Sequence, residues 1–133
     1  MTMKNLMVGA VCLVVMALPA CAKHKCDLSS GSDKETFGDV APMTHGAFSC
    51  FVSNGELVAS FGDTTVADVT SKYQAYLEKN GYTNVKTEDK HGSRSNGKSY
   101  EGKIVMAEKG GKKVGTLIYP LTDKLIETVT TVQ

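Results

Sequence analysis

The stretch Asp63 to Tyr82, DTTVADVTSKYQAYLEKNGY, constrains the fold more than any other part of the chain. Val66, Val69, Tyr73, Tyr76 and Leu77 recur at the three-and-four spacing of one helix face, while Asp68, Ser71, Lys72, Glu78 and Lys79 fall mostly away from that stripe. Both ends are marked. Thr65 followed three positions later by Asp68 is a capping-box pattern, and the acid sits where the helix dipole favours negative charge. Gly81 suits the left-handed position just past a helix, and Tyr82 can then fold back on Leu77 in a Schellman ending. The spacing predicts one amphipathic helix over about 65–80.

What flanks this helix reads as strand. In AFSCFVSNGELVASF, Asn54-Gly55 between alternating runs is a strong hairpin signal. A two-residue turn there places Ser53 opposite Glu56, Val52 opposite Leu57, Cys50 opposite Ala59 and Phe48 opposite Phe61. One face then carries Phe48, Cys50, Val52, Leu57, Ala59 and Phe61, all apolar. After the helix, TNVKTED reads as a short strand, and the stretch from Asp89 to Ser99 as a long polar loop. SYEGKIVMAEK and KVGTLIYP form a second hairpin through Gly110-Gly111, with Met106 opposite Gly115, Ile104 opposite Leu117 and Gly102 opposite Tyr119. The sequence puts that apolar set toward the helix and leaves Val105, Ala107, Val114 and Ile118 on the far face, joined there by Phe51 and Val58. KLIETVTTV is a last strand. Every strand-to-strand link is short, so the expected fold is a small two-layer α+β domain. It has one helix on an antiparallel sheet of five to six strands, in the order ββαββββ.

The first twenty residues do not belong to that domain. A short positive start with Lys4 precedes an apolar run of about fifteen residues, the length of an export signal and short for a membrane span. Residues 1–20 are therefore read as a removed leader, 21–46 as a polar tether or an irregular wrap stapled at Cys26, and 47–133 as the folded domain. The leader ends at Leu18-Pro19-Ala20-Cys21, which resembles the lipobox of bacterial lipoprotein precursors. Leu three positions before the cysteine, the small Ala before it and Cys21 all match; Pro19 stands where the pattern usually has a small or β-branched residue. The resemblance implies a lipid on Cys21 and attachment to a membrane. By similarity to Gram-negative lipoproteins, the non-acidic Ala22 implies sorting to the outer membrane, facing the periplasm or the surface. The alternative is Ala20-Cys21-Ala22 as a small-x-small cleavage site, which would release a soluble periplasmic or secreted protein.

Both routes leave the same two cysteines. Cys12 lies in the leader and Cys21 is either lipidated or removed, so Cys26 and Cys50 are expected to be bonded in an oxidising compartment, at a gain on the order of 3 kcal/mol. A metal site built from Cys21, His24 and Cys26 would need a fourth ligand, and Cys21 is not available as a thiolate on either route; no metal and no cofactor is expected.

The leader holds Lys4 and no acid, so the fifteen bases of the chain fall to fourteen, against fourteen acids. No basic excess is left for nucleic acid. The lack of Trp and the single arginine, Arg94, point the same way, because nucleic-acid surfaces favour arginine and stacking aromatics. His24, His45 and His91 stand in no nucleophile, HExxH or phosphate-loop motif, and no catalytic residue is assigned. The polar stretch 89–99 is the best candidate for a partner contact, with His91, Arg94 and Asn96 close together. The expected protein is an exported envelope module that binds or supports another envelope protein without catalysis. A different class, a periplasmic inhibitor or immunity-type protein that plugs an enzyme with the 89–99 loop, suits the same features.

Overall fold

The computed structural model describes Cys26, Leu28 and residues 31–133. The residues read as a leader, Cys21 and His24 lie outside the described residues. Among the described residues six strands form one antiparallel sheet: β1 (Ser49–Ser53), β2 (Glu56–Gly62), β3 (Thr83–Ser93), β4 (Ser99–Lys109), β5 (Lys112–Pro120) and β6 (Leu125–Val132). Helix α1 (Gly31–Phe37) and a 3-10 turn (Ala41–Thr44) precede β1, and helix α2 (Val66–Lys79) joins β2 to β3. The two-layer α+β domain is the one expected.

The sheet order is β1-β2-β6-β5-β4-β3. β6 thus returns to the middle and pairs with β2 on one side and β5 on the other. This order explains the position of α2. The chain leaves β2 and must reach β3 on the far edge, four strand spacings or about 19 Å away. The fourteen residues of α2 rise about 21 Å, enough to cross the sheet diagonally and cover one face.

The helix ends as its residues dictate. The Thr65 hydroxyl accepts from the Asp68 amide at 3.1 Å, and the Tyr82 amide donates to the Leu77 carbonyl at 3.0 Å. In the first hairpin Cys50 faces Ala59, Val52 faces Leu57 and Ser53 faces Glu56. Asn54 and Gly55 take φ values of 53° and 76°, the left-handed pair that a two-residue turn requires.

The core lies between α2 and the sheet. Val69, Tyr73 and Leu77 of the helix are buried with Leu57, Ala59 and Phe61 of β2, Val105 and Ala107 of β4, Val114 and Ile118 of β5, and Ile126 of β6. Three threonines lie in this layer without exposure, Thr116, Thr128 and Thr130. Each is paired: Thr116 with Thr130 at 2.8 Å, Thr128 with the Tyr73 hydroxyl at 2.8 Å. A buried hydroxyl without a partner would lose its water and gain nothing.

Three sequence expectations are corrected. The helix covers the face of β4 and β5 that carries Val105, Ala107, Val114 and Ile118, not the face of Ile104, Met106, Leu117 and Tyr119. Both faces of this hairpin are apolar, so alternation alone does not choose between them. Phe48, placed with the core by the hairpin pattern, is 40% exposed.

From residue 31 onward the N-terminal stretch takes one of the two forms read from sequence, a wrap. Phe37, Val40, Met43 and Ala47 are buried in the common core. The wrap is fastened to α2 by the Tyr76 hydroxyl, which donates to the Asp39 carbonyl, and by Lys72, which donates to the His45 carbonyl. Lys72 also stands 4.8 Å above the Phe61 ring, and partial burial there lowers its pKa. Cys26 and Cys50 meet in disulfide position, Cα atoms 4.7 Å apart. The Cys26 sulfur lies 3.0 Å from the Thr44 hydroxyl.

Last, the long polar loop is mostly strand. β3 runs to Ser93, with Asp89 opposite Lys103, His91 opposite Glu101 and Ser93 opposite Ser99. Only Arg94 to Lys98 remain as the turn.

Candidate functional site

The face of the sheet turned away from α2 has no covering layer among the described residues. One row of side chains crosses it strand by strand. Phe51 faces Val58, Val58 faces Val129, Val129 faces Leu117, and Leu117 faces Ile104. Val58, Val129, Leu117 and Ile104 are half-buried and Phe51 is exposed. A solvated face of an antiparallel sheet is ordinarily polar; this one is apolar across five strands.

At one end of this face the β3–β4 hairpin curls over the sheet and closes a cleft of about 380 Å³. Leu117 and Val129 belong to its lining, as do Tyr100 and Tyr119, whose rings stack with centroids 4.8 Å apart and planes tilted by 32°. Two glycines allow this stacking. Any Cβ on Gly92 would stand 2.6 Å from the Tyr100 ring, so the ring lies where only a glycine leaves space. A Cβ on Gly102 would meet the Ile118 carbonyl oxygen and the Cβ of Tyr119. The Tyr119 hydroxyl donates to a carboxylate oxygen of Glu127. Burial first, then that bond and the negative charge of Glu127, push its pKa upward. Tyr119 is therefore a fixed, protonated wall of the cleft.

The polar part of the lining comes from the hairpin turn. Gly97 donates to the Arg94 carbonyl at 2.9 Å, the Arg94 amide donates to the Lys98 carbonyl at 2.8 Å, and the Asn96 side chain accepts from the Lys98 amide at 2.9 Å. This turn places Arg94 and Asn96 on the cleft, with Glu56 also in the lining. The Arg94 Nε is buried without a hydrogen-bond partner, and its guanidinium joins no ion pair among the described residues; the one ion pair there joins Lys103 to Asp89.

Of the three residues singled out from sequence, the structure brings Arg94 and Asn96 together and separates His91 from them. Strand alternation puts His91 on the other face of β3, exposed, on the side of Asp89. The Asp89 carboxyl is held below its ordinary pKa, mainly by the hydrogen bond from Lys103 and its charge, with a smaller contribution from His91. Sequence reasoning missed Tyr100, Leu117, Tyr119 and Val129 as site residues. The sequence puts Tyr119 and Leu117 on the helix side, and no turn dipeptide between β5 and β6 marks the register that sets Val129 opposite Leu117. The chance signal was Asn96-Gly97, the same hairpin dipeptide as Asn54-Gly55.

Among the described residues no group of three or more His, Cys, Asp or Glu side chains is placed to hold a metal ion, and no helix is long and apolar enough to cross a membrane. No family model matches the chain, and neither a curated protein nor a solved structure is similar to it.

Proposed function

We propose that this protein is an exported, lipid-anchored module of the cell envelope that binds a partner in the cleft beneath the β3–β4 hairpin and does no chemistry on it. The observation that carries the reading is Arg94: a guanidinium with an unpaired, buried Nε beside an apolar and aromatic lining. A buried donor without an acceptor costs roughly 1–3 kcal/mol, and a carboxylate answers it with a charge-assisted bond. The partner expected is a protein segment that offers an acidic side chain next to an apolar one. The leader and the lipobox-like Leu18-Pro19-Ala20-Cys21 supply the location.

Two experiments test this. Cross-linking the tagged full-length chain in its own envelope should capture a partner by mass spectrometry, and Arg94→Glu should lose it at unchanged melting temperature. An Arg94→Glu variant that keeps every partner defeats the cleft. For the anchor, Cys21 should label with a palmitate analogue and Cys21→Ser should be soluble; a mature N-terminus at Lys23 would refute lipidation. The second reading, an inhibitor that inserts its hairpin tip into an enzyme, draws on the exposed Ser95, Asn96, Gly97 and Lys98. It predicts loss of the target on changing Ser95 and Lys98, with no effect from the cleft residue Leu117.

A further inference from the structure

Among the described residues two large apolar side chains are exposed, Phe48 at 40% and Phe51 at 46%. They are not scattered. Phe48 lies two residues before Cys50 and Phe51 one residue after it, on or beside the edge strand β1. Cys50 is the residue that meets Cys26, and Cys26 follows Cys21 by five positions. Five residues span at most about 18 Å when fully extended. Whatever path that segment takes, a lipid on Cys21 holds the Cys50 region of β1 close to the bilayer.

The two sheet edges also differ. The β3 edge carries Lys86, Glu88, Asp89 and Lys90, the kind of charge that keeps an edge strand in water. The β1 edge, SCFVS, carries none. The uncharged edge with the exposed aromatics is the one nearest the anchor.

From this coincidence we propose that the β1 edge rests on the membrane surface, with Phe48 and Phe51 seated at the boundary between headgroups and acyl chains. The inference rests on the lipid-anchor reading above and adds a second, protein-borne attachment to it. Aromatic side chains suit that depth, and a short hydrophobic contact adds to the hold of an acyl anchor.

The chain contains no tryptophan, so a single introduced one reports its own surroundings. Phe48→Trp, Phe51→Trp and, as a control at the exposed hairpin turn, Lys98→Trp are made in the full-length chain. Each is purified with its lipid and placed in phosphatidylethanolamine–phosphatidylglycerol vesicles carrying bromine on the acyl chains. The expected result is blue-shifted emission and several times stronger bromine quenching at positions 48 and 51 than at 98. Palmitate-labelled chains that show equal, weak quenching at all three positions overturn the inference and leave the anchor standing. Chains that take up no label and leave the membrane overturn the anchor, and the inference with it.

Discussion

The Tyr73 hydroxyl of α2 lies 2.8 Å from the Thr128 hydroxyl of β6, in the middle of the core and 55 positions apart in sequence. It is a buried polar pin between the two layers. Tyr73→Phe leaves the Thr128 hydroxyl buried with no partner and is expected to cost about 1–2 kcal/mol. Thr128→Val alone should cost a similar amount. The double variant should lose less than the sum, with a coupling of about 1 kcal/mol, because both unmet groups are gone together. Urea unfolding of the four proteins measures it; strict additivity would show that the pin contributes nothing.

Burial raises the Tyr73 pKa, with the Thr128 bond acting more weakly in the opposite direction. Tyr119 is shifted the same way by burial and by Glu127. The sign follows directly. In the unfolded chain a tyrosine loses its proton near pH 10 or so, while the folded protein keeps it. Above that pH the unfolded state binds fewer protons, so stability is whole below about pH 10 and falls as pH rises beyond it. The slope for Tyr73 approaches about 1.4 kcal/mol per pH unit. Urea midpoints across the alkaline range should show the decline, and Tyr73→Phe should flatten it.

Ile118 and Leu117 are neighbours on β5 that face opposite ways. Ile118 is fully buried beneath α2 and Leu117 is half-buried in the cleft. Ile118→Asp buries a charge with no partner and should unfold the domain. Leu117→Asp should keep its circular dichroism spectrum and melting temperature within a few degrees, yet fail to capture the partner proposed for the cleft. Reversed outcomes would mean that the helix covers the other face.

Cys26 and Cys50 close a segment of 24 positions. Cys50→Ser should lower stability by about 3 kcal/mol, and the intact mass of the oxidised protein should rise by about two hydrogens on reduction. Free thiols in the folded, unreduced protein would contradict the bond.

How much of this was legible in the residues depends on how local the deciding physics is. The first hairpin was readable because turn chemistry and burial pattern agree: Asn54-Gly55 fixes a register that puts Leu57 and Ala59 inside. The helix was readable from Thr65, Asp68, Gly81 and Tyr82, all within a turn of its ends. The wrap around Phe37, Val40 and Met43 was not, since α1 has seven residues and the 3-10 turn four, too few for a period to appear. Nor was the covered face of β4 and β5, where Ile104 and Val105 are equally apolar neighbours. Thr116, wholly buried, even looks like a solvent residue until Thr130 is seen beside it. Of the cleft, only Arg94 and Asn96 were picked out, because Leu117 and Tyr119 lie on a face that alternation assigns to the helix just as readily, and no turn dipeptide marks the register that brings in Val129.

The central place of β6 has a consequence in time as well as in space. Without it, β1–β2 and β3–β4–β5 are two separate pieces of sheet, and the hydroxyls of Tyr73 and Thr116 lack the partners that β6 supplies. Leu57 finds Thr130 only across more than half of the chain. Contacts that distant in sequence form slowly. A chain made from its N-terminus onward therefore cannot seal its core until residues 125–132 are free, and until then it stays open enough for the export proposed above.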